Sequence, residues 1–254
     1  MLEKSVSYRD KFRDSAESYD KTTQTKHISL IYDLEKEVLD NFFARIGAKQ
    51  LSVMDFACGS GRWTSYLETK FNTTIGLDIS PAMIDLAKSK CSKANFIVGD
   101  ITDISAEFDK LKQEFDVITA FRFFKNAEEP LREEAVNVIP NYLKESGYLI
   151  LDLHLNTYSF MGILANVIKL FKIDRLFDIS SIRLKTISLY EIKRLFNKVG
   201  LEIVDYWGMG VLPGRSDSIL LPLRILYMIE HYFTKNKILR LFSYNILIIA
   251  KKVS

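Results

Sequence analysis

Short apolar, β-branched runs alternate along this chain with amphipathic stretches. Residues 51–56 form the first run, ended by Ala57-Cys58-Gly59-Ser60-Gly61, and 73–77, 95–98, 115–120 and 147–153 follow. Between them, 62–70 and 81–90 carry helical spacing, the latter with Pro81 at a helix-start position. Residues 130–143 place Leu131, Ala135, Val138, Ile139 and Tyr142 on one buried face. Strands alternating with helices predict a mostly parallel sheet covered on both sides, an α/β doubly wound fold. The nearly continuous apolar run Phe115-Asp116-Val117-Ile118-Thr119-Ala120 fits a strand buried on both faces.

The flanks have a different pattern. Residues 1–45 predict one or two polar helices with Ile28, Ile31, Leu34, Val38 and Phe42 on one stripe. Residues 160–177 predict another, apolar on one side with Lys169, Lys172 and Arg175 on the other. A helix is expected over 188–199, with Ser188 as N-cap and Gly200 as its stop. Residues 201–207 then read as a strand, 220–241 as a helical stretch and 244–250 as a closing strand. A helix running into a terminal strand beside its predecessor predicts a final antiparallel pair at a sheet edge.

Composition narrows the class. With 254 residues, 48% hydrophobic and 26% charged, the chain is expected to bury a full core and not to be disordered. A net charge of +3 is too weak to mark a nucleic-acid binder. The two cysteines, Cys58 and Cys91, build no disulfide framework, and no CxxC or Cys/His cluster points to a metal. Residues 1–10 have no apolar core of a signal peptide, and the most apolar stretches, 219–229 and 246–250, are interrupted by Pro222 and Arg224 or too short to span a bilayer. A reduced, soluble, cytoplasmic protein is the expectation.

In open α/β sheets ligands bind beyond the carboxyl ends of the strands. The first strand is followed by small residues at 57, 59 and 61, where a backbone can turn sharply and approach a ligand. Asp78 closes the second strand, where it can accept hydrogen bonds from ribose hydroxyls. Gly99-Asp100-Ile101 follows the third, suited to an adenine amino group and ring face. Each signal alone is weak: Asp78 could cap the next helix and Asp100 could cap a turn through Thr102. Their order carries the reading of a nucleoside site.

Charge selects the nucleoside. A dinucleotide loop needs GxGxxG, but Thr64 stands three places after Gly61, and the P-loop sequence is absent. Asp55, just before the loop, would oppose a pyrophosphate. It suits a ligand carrying a sulfonium and an ammonium group, which is S-adenosylmethionine.

Val53-Met54-Asp55-Phe56-Ala57-Cys58-Gly59-Ser60-Gly61, Gly76-Leu77-Asp78-Ile79-Ser80-Pro81-Ala82-Met83 and Gly99-Asp100-Ile101 resemble the first three motifs of class I S-adenosylmethionine-dependent methyltransferases of the small-molecule type. The resemblance is strong over about residues 50–155 and elsewhere architectural. It implies a Rossmann-like methyltransferase fold: a seven-stranded sheet with helices on both faces and an antiparallel final strand. It implies one domain over 1–254, with an N-terminal helical lid (1–45), a cofactor-binding core (50–155) and substrate-side helical insertions (155–187 and 207–243). Asp55 and the loop of Ala57, Cys58, Gly59 and Gly61 would hold the methionine end. Asp78 would bind the ribose, Ile79 and Met83 would flank the adenine with Ile101, and Asp100 would meet its amino group. Phe121 and Arg122 would lie beside the sulfonium, and Tyr19 would close over the methionine moiety. Two departures are Ala57, where the family has a glycine and where alanine requires negative φ, and the turn Leu143-Lys144-Glu145-Ser146-Gly147.

The acceptor is expected to be a small molecule methylated on O or N, a saccharide or an amphiphilic metabolite. Residues 121–126 and 153–156 are similar to segments of methyltransferases of surface-saccharide assembly. His154, following the fifth strand, is the candidate base because imidazole titrates near neutrality. Phe160, Met161, Ile163, Leu164, Val167 and Phe171 are expected to wall the acceptor side. No Asn/Asp-Pro-Pro-aromatic stretch and no Pro-Cys nucleophile follows the fourth strand, so nucleic-acid amino or cytosine C5 methylation is not expected. The alternatives are an RNA or protein methyltransferase, or a non-catalytic binding protein of the same fold. The basic, apolar helices at 160–177 and 219–242 also admit peripheral contact with a membrane.

Overall fold

The computed structural model describes residues 26–100, 102, 110–154, 156–170, 187–211 and 222–253. Helix α1 (Lys26–Ile46) and a 3-10 turn (Ala48–Gln50) lead into β1 (Ser52–Phe56). Then come α2 (Arg62–Leu67), β2 (Thr73–Asp78), α3 (Pro81–Lys90) and β3 (Asn95–Val98). β4 (Phe115–Ala120), the short α4 (Phe123–Asn126), α5 (Glu129–Val138) and a 3-10 turn (Ile139–Asn141) precede β5 (Leu143–His154). Beyond it lie α6 (Phe160–Leu170), α7 (Leu189–Asn197), β6 (Leu201–Met209), α8 (Leu223–Lys235), a 3-10 turn (Leu239–Phe242) and β7 (Asn245–Lys252).

The seven strands form one sheet in the order β3-β2-β1-β4-β5-β7-β6. β1 pairs in parallel with both β2 and β4, β2 with β3, and β4 with β5. β7 runs antiparallel between β5 and β6, as the expected final pair requires. Chain order reverses at β1 and β4, which puts the ligand crevice of a doubly wound sheet beyond their carboxyl ends.

Alternation along the strands fills a core on each face. Met54, Ile118, Leu149 and Leu151 point to one side, against Leu131 and Ala135 of α5 and Ile192 and Phe196 of α7. Val53, Val117 and Ile150 point to the other, against Ile31, Leu34 and Phe42 of α1, Trp63 and Leu67 of α2, and Leu226 of α8. Ile31, Leu34 and Phe42 of the expected α1 stripe are thus buried and Val38 half-buried, while the Ile28 side chain lies outside the described ones.

Several boundaries moved, for local reasons. The helix expected over 130–143 ends at Val138, because Pro140 has no amide hydrogen to continue the ladder. β5 accordingly begins at Leu143 and takes up the turn through Ser146 at φ 62° as an irregular start. The long helix expected over 220–241 stops at Lys235. Asn236 Oδ1 accepts the Ile238 and Leu239 amides at 3.0 and 3.1 Å and so starts a separate turn. α7 behaves as expected, with a complete Ser188–Glu191 capping box and Gly200 at φ 73°. Ile163, Leu164 and Val167 are exposed, while the Phe160 and Met161 side chains and Phe171 lie outside the description. Among the described residues no helix is long and apolar enough to cross a membrane.

Candidate active site

The loop after β1 is built from left-handed backbone. Ala57, Gly59 and Gly61 have φ of 55°, 53° and 77°. Ala57 therefore does not have the negative φ expected of it; the turn imposes the family's glycine conformation on an alanine, at a cost of about 1 kcal/mol. Gly61 needs its missing side chain for a second reason. A Cβ there would stand 2.7 Å from Cβ of Ala87, where α3 crosses the start of α2. A Cβ built at Gly59 meets nothing within 4 Å, so open space lies beside the loop, as a bound nucleoside requires.

The acids reach the same rim but do different work. Asp78 Oδ2 accepts the Gly59 amide at 2.8 Å and Oδ1 accepts the Ser80 amide at 2.9 Å, which binds the loop of β1 to the end of β2. Asp78 is not the cap of α3; Ser80 is, through the Met83 amide. Burial raises the proton affinity of Asp78, with the Ser80, Gly59 and Ile79 amides opposing it. Asp100 Oδ1 accepts from the Thr102 amide and hydroxyl at 3.0 and 2.7 Å, forming the turn foreseen for it. Asp55 is buried, and its oxygens accept the Thr64 and Thr119 hydroxyls at 2.6 and 2.8 Å. It braces the loop from below, with its pKa lifted from 3.8 to about 6 by burial against those two hydrogen bonds.

Met83 is buried beneath the α3 start and Ile79 is half-buried at the rim. Cys58 is no nucleophile: burial, then Asp55 and Asp78, push its thiol well above 9.0. Tyr19 and Ile101 lie outside the described residues.

Beyond β4 the site turns aromatic and then ionic. Phe121 stacks on Trp63 with ring centroids 3.9 Å apart, and Tyr32 of α1 meets Trp63 edge-on at 4.5 Å. Tyr32 also donates to the Arg62 carbonyl at 3.0 Å. Arg122 follows in left-handed conformation at φ 62° and is the hub of a buried cluster. Its amide donates to Asp152 Oδ1, its Nε lies 3.3 Å from Asp152 Oδ2, and its Nη2 lies 3.7 Å from Glu35 Oε2. Its Nη1 donates to His154 Nε2 at 2.6 Å, while His154 Nδ1 faces Asp152 Oδ2 at 3.4 Å.

This geometry changes the reading of His154. Burial, Arg122 and Lys125 push its pKa from 6.5 down to about 3, so it does not titrate near neutrality as expected. It is a neutral acceptor whose lone pair Arg122 occupies. Burial would raise Asp152, but Arg122 and His154 outweigh it and hold the carboxyl well below the usual range. Glu35 is the group here that titrates near neutrality. Burial lifts it from 4.5 to about 7, with Arg122 opposing and Asp152 adding.

Glu35, Tyr32, Trp63 and Asp152 were not among the sequence candidates. Two of them leave a trace. Glu35 is an acid inside the apolar stripe of α1, one turn past Ile31, and Asp152 interrupts the apolar run of β5. A charge on a core face has to be paired.

A left-handed turn after β1, acids at the ends of β2 and β3, and a reversal of strand order between β1 and β4 line the crevice of a doubly wound α/β sheet. Residues 53–147 match the family model described as a methyltransferase domain. An uncharacterized protein of Methanocaldococcus jannaschii is 27% identical over 231 residues, covering 84% of this chain and 82% of that protein. Two solved structures share the fold. The Haloferax volcanii protein in complex with the Trm112 methyltransferase activator has a TM-score of 0.62 at 19% identity, over 96% of this chain and 98% of that one. Magnesium protoporphyrin IX methyltransferase of Synechocystis PCC 6803, with S-adenosylhomocysteine bound, has a TM-score of 0.64 at 16% identity, over 96% and 97%. Residues 53–147 are thus a methyltransferase domain set in the fold of S-adenosylmethionine-dependent methyltransferases, with S-adenosylmethionine as the methyl donor.

Proposed function

We propose that the chain transfers the methyl group to an O or N atom of a small molecule, in the saccharide or amphiphilic-metabolite class. The observation that carries this reading is the buried cluster of Glu35, Arg122, Asp152 and His154, next to Phe121 and closed over by α1. Such an enclosed polar end suits a compact acceptor group. The net charge of +3 supplies no electrostatic footprint for a nucleic-acid backbone.

In this reading Asp78 accepts the ribose hydroxyls, Ile79 and Met83 flank the adenine, Asp100 takes its amino group, and the loop above Asp55 receives the methionine end. The sulfonium supplies an already activated methyl group for in-line displacement. The chain's own task is alignment and exclusion of water. Phe121 on Trp63 forms the apolar wall, and Arg122, held by Asp152 and His154, orients the acceptor. Glu35 takes the proton of an acceptor that must lose one, since its pKa lies near working pH.

A second reading draws on the complexed state of the Haloferax volcanii neighbour. In that reading an activator protein binds this chain and the acceptor is a macromolecule. Methyl-labelled S-adenosylmethionine added with fractionated cell extract separates the two. Label in the low-mass fraction supports the small-molecule reading, and label confined to RNA or protein overturns it.

A further inference from the structure

Surface helices of globular proteins turn polar side chains to solvent. α8 does the reverse. Leu226, Glu230 and Thr234 face inward and are buried, whereas Ile225, Met228 and Tyr232 form the outward stripe at 44%, 63% and 62% exposure. The turn that follows adds Ile238 and Phe242, at 71% and 50%. α6 repeats the pattern with Ile163, Leu164, Val167 and Leu170 exposed along one side. A residue before α6 is tied to the segment that follows α8. Asn156 Nδ2 donates to the Leu241 and Ser243 carbonyls at 2.6 and 3.1 Å, and its amide donates to the Tyr244 carbonyl at 3.1 Å.

Cations dominate the charge on this face, where the partly exposed Glu37 of α1 borders α8 against Tyr227 and His231. Between 156 and 170 the sequence has no acid, and between 222 and 242 it has only Glu230. That carboxylate is turned inward, accepting the Gly210 and Val211 amides at 2.7 and 3.0 Å. Arg224, Lys235 and Lys237 are exposed along the apolar stripe. Lys235 and Lys237 continue, with Lys193 and Arg240, into a cavity of about 650 Å³ along β6 and Trp207. Asp205, the one acid in that lining, lies 3.8 Å from Arg240, which leaves an excess of positive charge.

We propose that this face is a peripheral docking surface for anionic phospholipid. The apolar stripes of α6 and α8 enter the headgroup boundary, and the lysines beside them take lipid phosphates in the basic groove along β6. A second copy of the chain is the poorer occupant. A two-fold contact would set these cations against one another, and the acid at the border of α8, Glu37, is already engaged by Tyr227 and His231. The inference does not rest on the acceptor assignment, and its test reads binding without catalysis.

The full chain is co-sedimented with phosphatidylcholine vesicles, with and without phosphatidylserine, at low and high salt. It should pellet with the phosphatidylserine vesicles at low salt, be released by high salt, and stay in the supernatant with phosphatidylcholine alone. K235Q/K237Q should weaken the partition by roughly fivefold per lysine. M228D/Y232D, altering two exposed side chains, should abolish it while S-adenosylhomocysteine affinity is unchanged. No pelleting with phosphatidylserine vesicles, or undiminished pelleting of M228D/Y232D, overturns the proposal. So does a dimer that M228D/Y232D disperses, which would assign the face to a second copy.

Discussion

At the cofactor end of the rim, Gly59 meets Asp78 across 19 residues and Asp55 meets Thr64 across nine. At the acceptor end, Arg122 meets Asp152 and His154 across 30 and 32 residues, and Glu35 arrives from α1, ahead of the first strand. The first arrangement sets single carboxylates under nearby backbone amides and threonine hydroxyls, with one long reach, from Thr119 of β4 to Asp55. The second is a cluster in which buried Glu35, Asp152 and His154 close on a largely buried Arg122, each needing the others. Loss of one partner should therefore be felt locally at the cofactor end and throughout the cluster at the acceptor end.

Asp152→Ala should produce the largest effect. It takes the Asp152 carboxylate away from a largely buried Arg122 guanidinium, which costs about 3–5 kcal/mol. The measurement is the urea midpoint. A loss under about 1 kcal/mol would mean that the cluster is solvated and that the contrast with the cofactor end is empty. Asp78→Ala comes next and should act chiefly on binding. It removes two amide hydrogen bonds to a carboxylate along with the proposed ribose contact. Affinity for S-adenosylhomocysteine in titration calorimetry should fall roughly a hundredfold, with a smaller change in the urea midpoint than Asp152→Ala. Equal binding by variant and wild type would remove Asp78 from the site.

These two residues also mark how far the sequence could be read. The Asp78 position was visible because the signal is local: a strand's apolar run, an acid at its end, then Ser80 and Pro81 opening a helix. The parallel sheet and the antiparallel final pair followed from similar short patterns. The ionic cluster was not visible, because four side chains from α1, the end of β4 and β5 meet only after the sheet is assembled. His154 shows the consequence. Its place after β5 was foreseen, but its proton affinity depends on Arg122 and burial, which a linear pattern does not contain. The end of α5 was missed for a different reason, since apolar periodicity ran through Pro140 without registering the missing amide.

Gly61→Ala should be next in size and confirms how tightly the cofactor end is packed. The new Cβ meets Ala87 Cβ at 2.7 Å at a φ of 77°, so a loss of about 1–3 kcal/mol is expected, read as a lower Tm. A neutral result would show that α3 can withdraw from α2.

Glu35→Gln tests the acceptor end through its pH dependence. Burial raises the folded pKa of Glu35 from 4.5 to about 7, so the folded chain holds a proton that the unfolded chain releases earlier. Its contribution is therefore fully present below about 4.5 and is lost as pH rises through about 7. The variant, which cannot ionise, should gain on the wild type across that interval by at most on the order of 1 kcal/mol per pH unit. Urea midpoints of both proteins between about pH 5 and pH 8 give the difference. A flat or falling difference would place the neutral-range proton elsewhere in the cluster. The same substitution should lower kcat for an acceptor that must lose a proton while leaving S-adenosylhomocysteine affinity in place.

The smallest effect belongs to Ala57→Gly, and it tells whether the cofactor loop is strained or merely shaped. Alanine at φ 55° carries about 1 kcal/mol of left-handed penalty, which glycine removes. Glycine also gives the unfolded chain more freedom, which offsets about 0.4–1 kcal/mol of that gain. The net change in stability should thus lie within about 0.5 kcal/mol of zero. Binding separates the possibilities that stability cannot. If the turn from Ala57 to Gly61 is held by Asp78 on the Gly59 amide, as the 2.8 Å bond requires, S-adenosylhomocysteine affinity should not move. If affinity rises several-fold, the alanine is resisting a closure that the ligand completes, and the cofactor end would share the long-range dependence of the acceptor end.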